Sequence, residues 1–301
     1  MNVGLTPEAA RFRAAMMRAV RAFFDGRGYI EVETPVRIPA PAQEFAIDCP
    51  GSDGAFLRAS PELQMKRLMV AGFEKIYQIG PCFRSLECGK RHNPEFSMLE
   101  WYSAGGDCNS ILEETRELLN ALVDTLPLSG EVVSLLKTPW REITVAEAFA
   151  EYAGWNPLED WDQDRFDTDM AMKVEPNLPR DAPCVLRDYP APAASLARLN
   201  PENGAAERWE LYVDGLELAN AYSELCDHAI QRRRFEAEAD MRRAAGKTVY
   251  PMDEDFFADL RRGMPACGGI ALGIDRLAML LTGKRDIADV RLFCQRPGYL
   301  F

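Results

Sequence analysis

The stretch CFRSLECGKRHNPEFSMLEWY, residues 82–102, decides the fold. It closes a strand-like run from Lys75 to Ser85, crosses a polar loop through Pro94, and returns as a second strand from Glu95 to Tyr102. An arginine at a strand end, here Arg84, can lay its guanidinium over a phosphate. Along the return strand, period two places Phe96, Met98, Glu100 and Tyr102 on one face. An aromatic ring, a carboxylate and a phenol together suit a site for a base and an amine. The same residue types also describe a mixed strand half-buried against a helix, and taken alone they favour that plainer reading.

Upstream, Thr6-Pro7-Glu8 has the order of an N-cap, an N1 proline and a first-turn acid. Phe12, Met16, Val20 and Phe23 follow at helical spacing up to a stop at Gly26. Tyr29 to Glu33 alternates like a strand that Pro35 ends. Ser60-Pro61-Glu62 repeats the cap pattern and opens a helix to about Gly72. Downstream, residues 110–125 and 144–153 read as helices, and 156–203 is proline-rich and weakly periodic, a surface excursion. Strands resume at Trp209, with Asp214-Gly215 as a hairpin turn. A charged helix spans 232–245, and a glycine-punctuated strand from Cys267 enters an apolar helix ending at Leu281. Strands and helices in irregular order predict an α+β fold.

Two further clusters carry candidate chemistry. Glu210, Glu217 and Glu224 are spaced at seven. A two-residue turn at 214–215 pairs Val213 with Leu216 and Tyr212 with Glu217, so Glu210 lies diagonal to Glu217 and can share a cation with it. Two adjacent carboxylates repel unless a positive charge separates them, and Mg²⁺ held partly by a nucleotide phosphate is the natural candidate. Glu224 is out of phase with Glu217 on a regular strand and joins the site only if the chain bends or bulges near Ala219 to Tyr222. Solvated acids in an acidic protein are the competing reading. The third cluster, GGIALGIDR at 268–276, puts glycines where a ligand can approach the backbone and Arg276 at the start of a helix, facing a terminal phosphate. It lacks the GxxxxGK[ST] order of a P-loop.

Composition narrows the classes. The chain has 301 residues, 47 acidic and 35 basic, for a net charge of −12, which opposes binding along a phosphate backbone. No stretch approaches the roughly 20 apolar residues of a membrane helix. Eight cysteines without a CxxC pair, and only His92 and His228 for imidazole, make a zinc site improbable and fit free thiols in a reducing cytoplasm.

Taken in order, these clusters resemble the motifs of the class II aminoacyl-tRNA synthetases, with wording closest to lysyl-tRNA synthetase. YIEVETP at 29–35 is similar to motif 1, residues 83–102 to motif 2 and GIALGIDR at 269–276 to motif 3, so the resemblance runs from about residue 7 to 293. It implies an antiparallel sheet flanked by helices, with ATP bent across it. Carried over residue by residue, Arg84 would contact the α-phosphate and Arg276 the γ-phosphate. Glu87 and Asn93 would hold the adenine region, Phe96 would stack on the ring, and Leu218 and Gly273 would line the nucleotide. Glu210 and Glu217 would hold Mg²⁺. Ser60, Pro61, Glu62, Tyr102, Glu224 and Ala271 would line the amino-acid pocket, two acids and a phenol suiting a substrate with two amines.

Motif 1 begins within the first few dozen residues, which leaves no room for an anticodon-binding barrel. The expectation is one catalytic domain over 1–301 with an irregular helical, proline-rich insertion at about 105–207. A free-standing domain of this kind resembles the elongation factor P–lysine ligase family, which attaches (R)-β-lysine to a lysine of that factor. CxFRxxExGxxHNPEFxMLEWY at 82–102, Glu217-Leu218-Ala219-Asn220, and Ala271 in place of a glycine carry that resemblance. Ala221 in place of a usual glycine and a short 156–200 segment depart from it. The resemblance therefore implies a cytoplasmic homodimeric ligase using ATP and Mg²⁺, with lysine or (R)-β-lysine as substrate, elongation factor P as acceptor, and no stable nucleic-acid or membrane binding. The competing readings are a minimal synthetase acylating tRNA with a partner, and a catalytically silent synthetase-like regulator.

Overall fold

The computed structural model describes residues 5–295; residues 1–4 and 296–301, counted in the single domain expected from the sequence, lie outside the described residues. Helix α1 (Pro7–Asp25) begins where Thr6 accepts a hydrogen bond from the Ala9 amide, with Pro7 in the first turn, and buries Met16, Val20, Phe23 and Phe24. After β1 (Ile30–Glu31), the short strands β2 (Arg37–Ile38), β3 (Gly51–Ser52) and β4 (Ala55–Leu57) form a small sheet of their own. Helix α2 (Glu62–Val70) leads into the hairpin β5 (Lys75–Phe83) and β6 (Glu95–Ala104), the strands read from residues 75–102. Next come α3 (Cys108–Thr125), α4 (Gly130–Lys137), β7 (Arg141–Thr144), α5 (Val145–Tyr152), α6 (Gln163–Asp169) and β8 (Cys184–Tyr189). The chain then runs through β9 (Ala206–Val213), β10 (Leu216–Ser223), α7 (His228–Ala244), α8 (Glu254–Arg261), β11 (Cys267–Gly273) and α9 (Ile274–Thr282).

Eight strands build the main sheet in the order β1-β5-β6-β11-β10-β9-β8-β7. From β5 to β8 every neighbour is antiparallel, and only the outermost pairs, β1 with β5 and β7 with β8, are parallel. This is the α+β architecture expected, an antiparallel sheet flanked by helices and widened at each edge by one parallel strand.

Period two divides the sheet into two faces. Leu99 and Trp101, Ile270 and Leu272, Trp209 and Leu211, and Ala219 and Ala221 pack with the apolar stripes of α1, α3 and α9 in one core. Each such Leu, Ile or Phe taken from water stabilises the fold by about 1.5–3 kcal/mol. The opposite face keeps its polar side chains and builds the site.

Residues 156–203, read from the sequence as a surface excursion, instead contribute to a second core, in which Phe166, Met170, Val174, Leu178, Leu186 and Tyr189 pack with Phe149 and Trp155. Sequence periodicity misses it because no single helix type persists there. Helix α6 passes into a π-helical turn at Met170–Val174 and then a 3₁₀ turn at Glu175–Asn177, so apolar residues recur without a fixed period.

The hairpin at Asp214-Gly215 forms as read, both residues having positive φ (53° and 70°) and the register pairing Val213 with Leu216 and Tyr212 with Glu217. Immediately afterwards the register slips: Ala219 faces Leu211, leaving Leu218 as the extra residue of a β-bulge.

Candidate active site

Strand register lays the polar face out in rows. Tyr102 on β6 pairs with Gly269 on β11, which pairs with Tyr222 on β10, which pairs with Arg208 on β9. The next row is Glu100, Ala271, Asn220 and Glu210. A third begins with Met98 and Gly273 and meets the bulge at Leu218. The bulge decides which acids share the site. Glu217 is odd-numbered and Glu224 even-numbered, and the one extra residue brings both to the face of Asn220 and Tyr222. The condition for Glu224 to join the site, a bend or bulge near Ala219 to Tyr222, is met just before that stretch, between Glu217 and Ala219. All of these polar groups border one cavity of about 930 Å³, closed on its far side by α2, α7 and the loop at 41–49.

One end of the cavity is acidic. Ser60 accepts a hydrogen bond from the Glu62 amide at 2.9 Å, which starts α2, and donates from its hydroxyl to Glu100 at 2.6 Å. Tyr102 donates to the other oxygen of Glu100 at 3.3 Å. One turn after Glu62, Lys66 is 0% exposed, and its Nζ lies 2.6 Å from both Glu62 and Glu224. Two carboxylates outweigh the cost of burying that ammonium and hold it charged. For Glu224 burial prevails over the pull of Lys66, and Glu62 beside it adds to the upward shift, so Glu224 tends to retain a proton. Burial, reinforced by Glu62, pushes Glu100 up to about 8. Oε1 of Glu224 has no hydrogen-bond partner among the described residues.

Gly268 and Gly269 are tight for a reason other than ligand approach. A Cβ on Gly269 would meet Glu224 Oε1 at 2.1 Å and Tyr102 Cε1 at 2.4 Å; one on Gly268 would meet Ile111 at 2.5 Å. The protein's own side chains fill both spaces. Gly273 differs: a Cβ there would find only the stem of Arg276, at 3.7 Å.

The other end is cationic. Arg84 leaves β5 with its guanidinium 5.3 Å from the Phe96 ring centre and 3.7 Å from Glu87, and its buried Nε has no hydrogen-bond partner among the described residues. Burial opposes its charge, but Glu87, Glu44 and Glu217 more than offset this. Arg276, at the start of α9, donates to the carbonyl and carboxylate of Glu217 at 2.8 and 2.9 Å, and its second nitrogen lies 2.7 Å from His92 Nε2. Burial and the neighbouring Arg276 hold His92 below its usual range, so the neutral ring accepts from the guanidinium. Asn93 borders the cavity but is 3% exposed, and its amide is spent on the Glu95 carbonyl and the Gln295 amide. Its side chain orders the loop, leaving its backbone for a ligand.

Glu210 lies 2.6 Å from Arg208 and accepts a hydrogen bond from Tyr212 at 2.7 Å. Arg208 is sandwiched between the rings of Tyr189 and Tyr222, 4.2 and 5.8 Å from their centres. Glu210 and Glu217 are thus each held by an arginine, and no cluster of three metal-ligating side chains occurs among the described residues. That donor set fits Mg²⁺, which binds through one or two carboxylates with phosphates and water completing its shell. The open side of Gly273 and the unpartnered Arg84 Nε likewise fit a triphosphate nucleotide.

Of the residues named from the sequence, Pro61 is the exception: it is buried at the start of α2 and is not among the cavity-lining residues. Its ring presets the backbone for the helix, and Ser60 and Glu62 on either side reach the cavity instead. Sequence reading missed Lys66, Arg208, Asn220 and Glu44. Lys66 had a signal, a lysine four residues after Glu62 set between Met65 and Met69 on a helix face that must be buried.

Residues 6–297 match the family model described as tRNA synthetases class II (D, K and N). The chain is 39% identical to an elongation factor P–(R)-β-lysine ligase of Photorhabdus laumondii and 38% identical to one of Klebsiella pneumoniae, each over 93% of both chains. It is also 38% identical to a lysine–tRNA ligase of Moorella thermoacetica, over 93% of this chain and 64% of that one. With that family's fold and motif residues gathered around one cavity, the chain belongs to the class II tRNA synthetases of the D, K and N group.

Proposed function

We propose that this protein is an ATP-dependent ligase that activates lysine or (R)-β-lysine as an adenylate and transfers it to a lysine of elongation factor P. One observation carries the substrate class: at one end of the cavity Glu62 and Glu224 share the single ammonium of Lys66, and the buried Glu100 has only the hydroxyls of Ser60 and Tyr102. Ionised, the three carboxylates leave two negative charges unmatched. A substrate with two ammonium groups supplies the compensation that buried charges require. A neutral or acidic side chain would leave those charges unpaired.

The mechanism needs no protein nucleophile. The substrate carboxylate attacks the α-phosphorus, Arg84 stabilises the charge developing there, and pyrophosphate leaves toward Arg276. Arg276 exchanges its contact with Glu217 for the departing phosphates. Glu210 and Glu217 would hold Mg²⁺, which when bound neutralises phosphate charge. Ala271 lies in the row between Glu100 and Asn220, where its methyl borders the amino-acid end. The names of the ligase relatives support elongation factor P as acceptor. We also read the protein as cytoplasmic and homodimeric, with α1 and the chain up to Pro35 forming the isologous interface; no helix among the described residues is long and apolar enough to cross a membrane.

Mass spectrometry of elongation factor P after incubation with this protein, ATP and β-lysine tests the reading directly. A single lysine adduct is expected, and an unmodified acceptor beside active ATP–pyrophosphate exchange would reject it. The lysine–tRNA ligase relative favours a second reading, tRNA acylation, which the same incubation with labelled lysine and tRNA distinguishes.

A further inference from the structure

Amide formation poses a problem that the residues described so far leave unsolved. An acceptor lysine arrives as an ammonium, and only its free amine can attack an acyl-adenylate. We propose that Glu44 is the general base of the transfer step, taking the proton from the acceptor ammonium; this rests on the ligase function proposed above.

Geometry singles Glu44 out. It borders the cavity on the side opposite the sheet, in the loop at 41–49. The acids placed at the two ends of the site are engaged: Glu62 and Glu224 by Lys66, Glu100 by Ser60, Glu210 by Arg208, Glu217 by Arg276 and, at 3.7 Å, Glu87 by Arg84. Glu44 by contrast has a side chain influenced only by burial and by charges at a distance, with no hydrogen bond among the described residues. Glu62 of the amino-acid end, Arg84 of the phosphate end, Arg208 from β9 and Glu238 from α7 border the same cavity. In this proposal Glu44 serves the junction of substrate and α-phosphate, where the mixed anhydride must form.

The backbone of the loop is held in place although it has no regular structure. Arg242, wholly buried on α7, donates to the carbonyls of Glu44 and Ile47 at 2.6 and 2.9 Å and to Asp48 at 2.6 Å. Lys247 donates to the Phe45 carbonyl at 2.9 Å, and the Phe45 amide donates to Glu238 at 2.7 Å. Five buried or half-buried contacts on one short loop are unexplained by packing alone, since its Phe45, Ala46 and Ile47 lie outside the buried core. Burial, with Glu62 adding to it, pushes Glu44 up to about 7, a basicity matched to proton transfer at neutral pH.

In the step itself, the acceptor N–H bond breaks and its proton passes to the Glu44 carboxylate. The freed lone pair attacks the adenylate carbonyl carbon, the C–O bond to phosphate breaks with its electrons leaving on AMP, and the second nitrogen proton is lost to water. Glu44 returns its proton to solvent.

Two nucleophiles test the assignment on adenylate formed from whichever lysine supports ATP–pyrophosphate exchange. Nα-acetyl-lysine methylamide is an ammonium at neutral pH and needs a base; hydroxylamine is already unprotonated and does not. Glu44→Gln should lower the ratio of single-turnover transfer to the first over the second by at least about 100-fold, and should abolish the parent's rise in transfer with pH through the neutral range. Glu44→Ala should lose the same ratio and regain it with added formate, which a misfolded variant would not. An equal loss with both nucleophiles, or exchange falling in step with transfer, would overturn the assignment and make Glu44 a substrate-binding or structural group. If the parent acylates the small amine but not elongation factor P, the acceptor reading fails while the test of Glu44 stands. Absence of exchange in the parent removes both.

Discussion

Replacing Gly269 by alanine tests the amino-acid end at its tightest point. The new Cβ would lie 2.1 Å from Glu224 Oε1 and 2.4 Å from Tyr102 Cε1, against about 3.5–4 Å for ordinary contact. Both neighbours must retract by more than about 1 Å. Both are 2% exposed, but the Tyr102 ring moves only as a rigid body, so the greater shift falls on the flexible Glu224 side chain and with it the 2.6 Å contact to Lys66. Overpacking of this kind costs roughly 1–3 kcal/mol of stability. Displacing a buried carboxylate from a substrate ammonium costs about 2–5 kcal/mol of binding. In ATP–pyrophosphate exchange the KM for lysine should therefore rise at least about 30-fold, with the KM for ATP moving less than about threefold. Gly273→Ala is the matched control, because its Cβ meets nothing closer than Arg276 at 3.7 Å. Its urea-unfolding stability should stay within about 0.5 kcal/mol of the parent while the KM for ATP rises about tenfold. If Gly269→Ala left the lysine KM unchanged, or if both variants weakened the same substrate, the division of the cavity into an amine end and a phosphate end would be wrong.

Arg84→Ala should leave the fold intact and cost about 3 kcal/mol or more in adenylate formation, so pyrophosphate exchange close to the parent's would refute its place on the α-phosphate. Ala271→Gly, by opening space beside Glu100 and Asn220, should shift the ratio of kcat/KM toward α-lysine over β-lysine by about 1–3 kcal/mol; an unchanged ratio would leave Ala271 as a packing residue. Folding should depend on pH through Glu100, whose folded value near 8 lies above the unfolded carboxylate value of about 4.3. Between these limits the folded state binds the extra proton, so this contribution to stability falls as pH rises and levels off above the folded value. Urea unfolding from pH 5 to 9 should show that slope in the parent and a weaker one in Glu100→Gln, and equal slopes would count against it. Light scattering at micromolar protein should give twice 33.8 kDa, and the monomer mass would remove the proposed dimer.

Where a feature depends on residues close in the chain, it could be read without coordinates. Thr6 and Pro7 start α1, and Asp214-Gly215 sets the pairing of Tyr212 with Glu217, because caps and two-residue turns form from local hydrogen bonds and backbone preferences. The order of the motifs carried the fold class, and with it the placing of Arg84 and Arg276 on one cavity. Tertiary structure alone decided which partners the charged groups take. Lys66 and Glu224 are far apart in sequence, and only the packing of α2 on the sheet, against β6, turns an apparent pair of free substrate carboxylates into acids sharing one lysine. The bulge at Leu218 was equally beyond local reading, since a slip of one residue shows only when β10 is laid against β9. Glu44 sits in a loop without periodicity, and its place on the cavity that Arg84 and Glu62 also line depends on Arg242, nearly two hundred residues later in the chain. Charge pairing depends on distance in space, and sequence spacing encodes that distance only within a single helix, strand or turn.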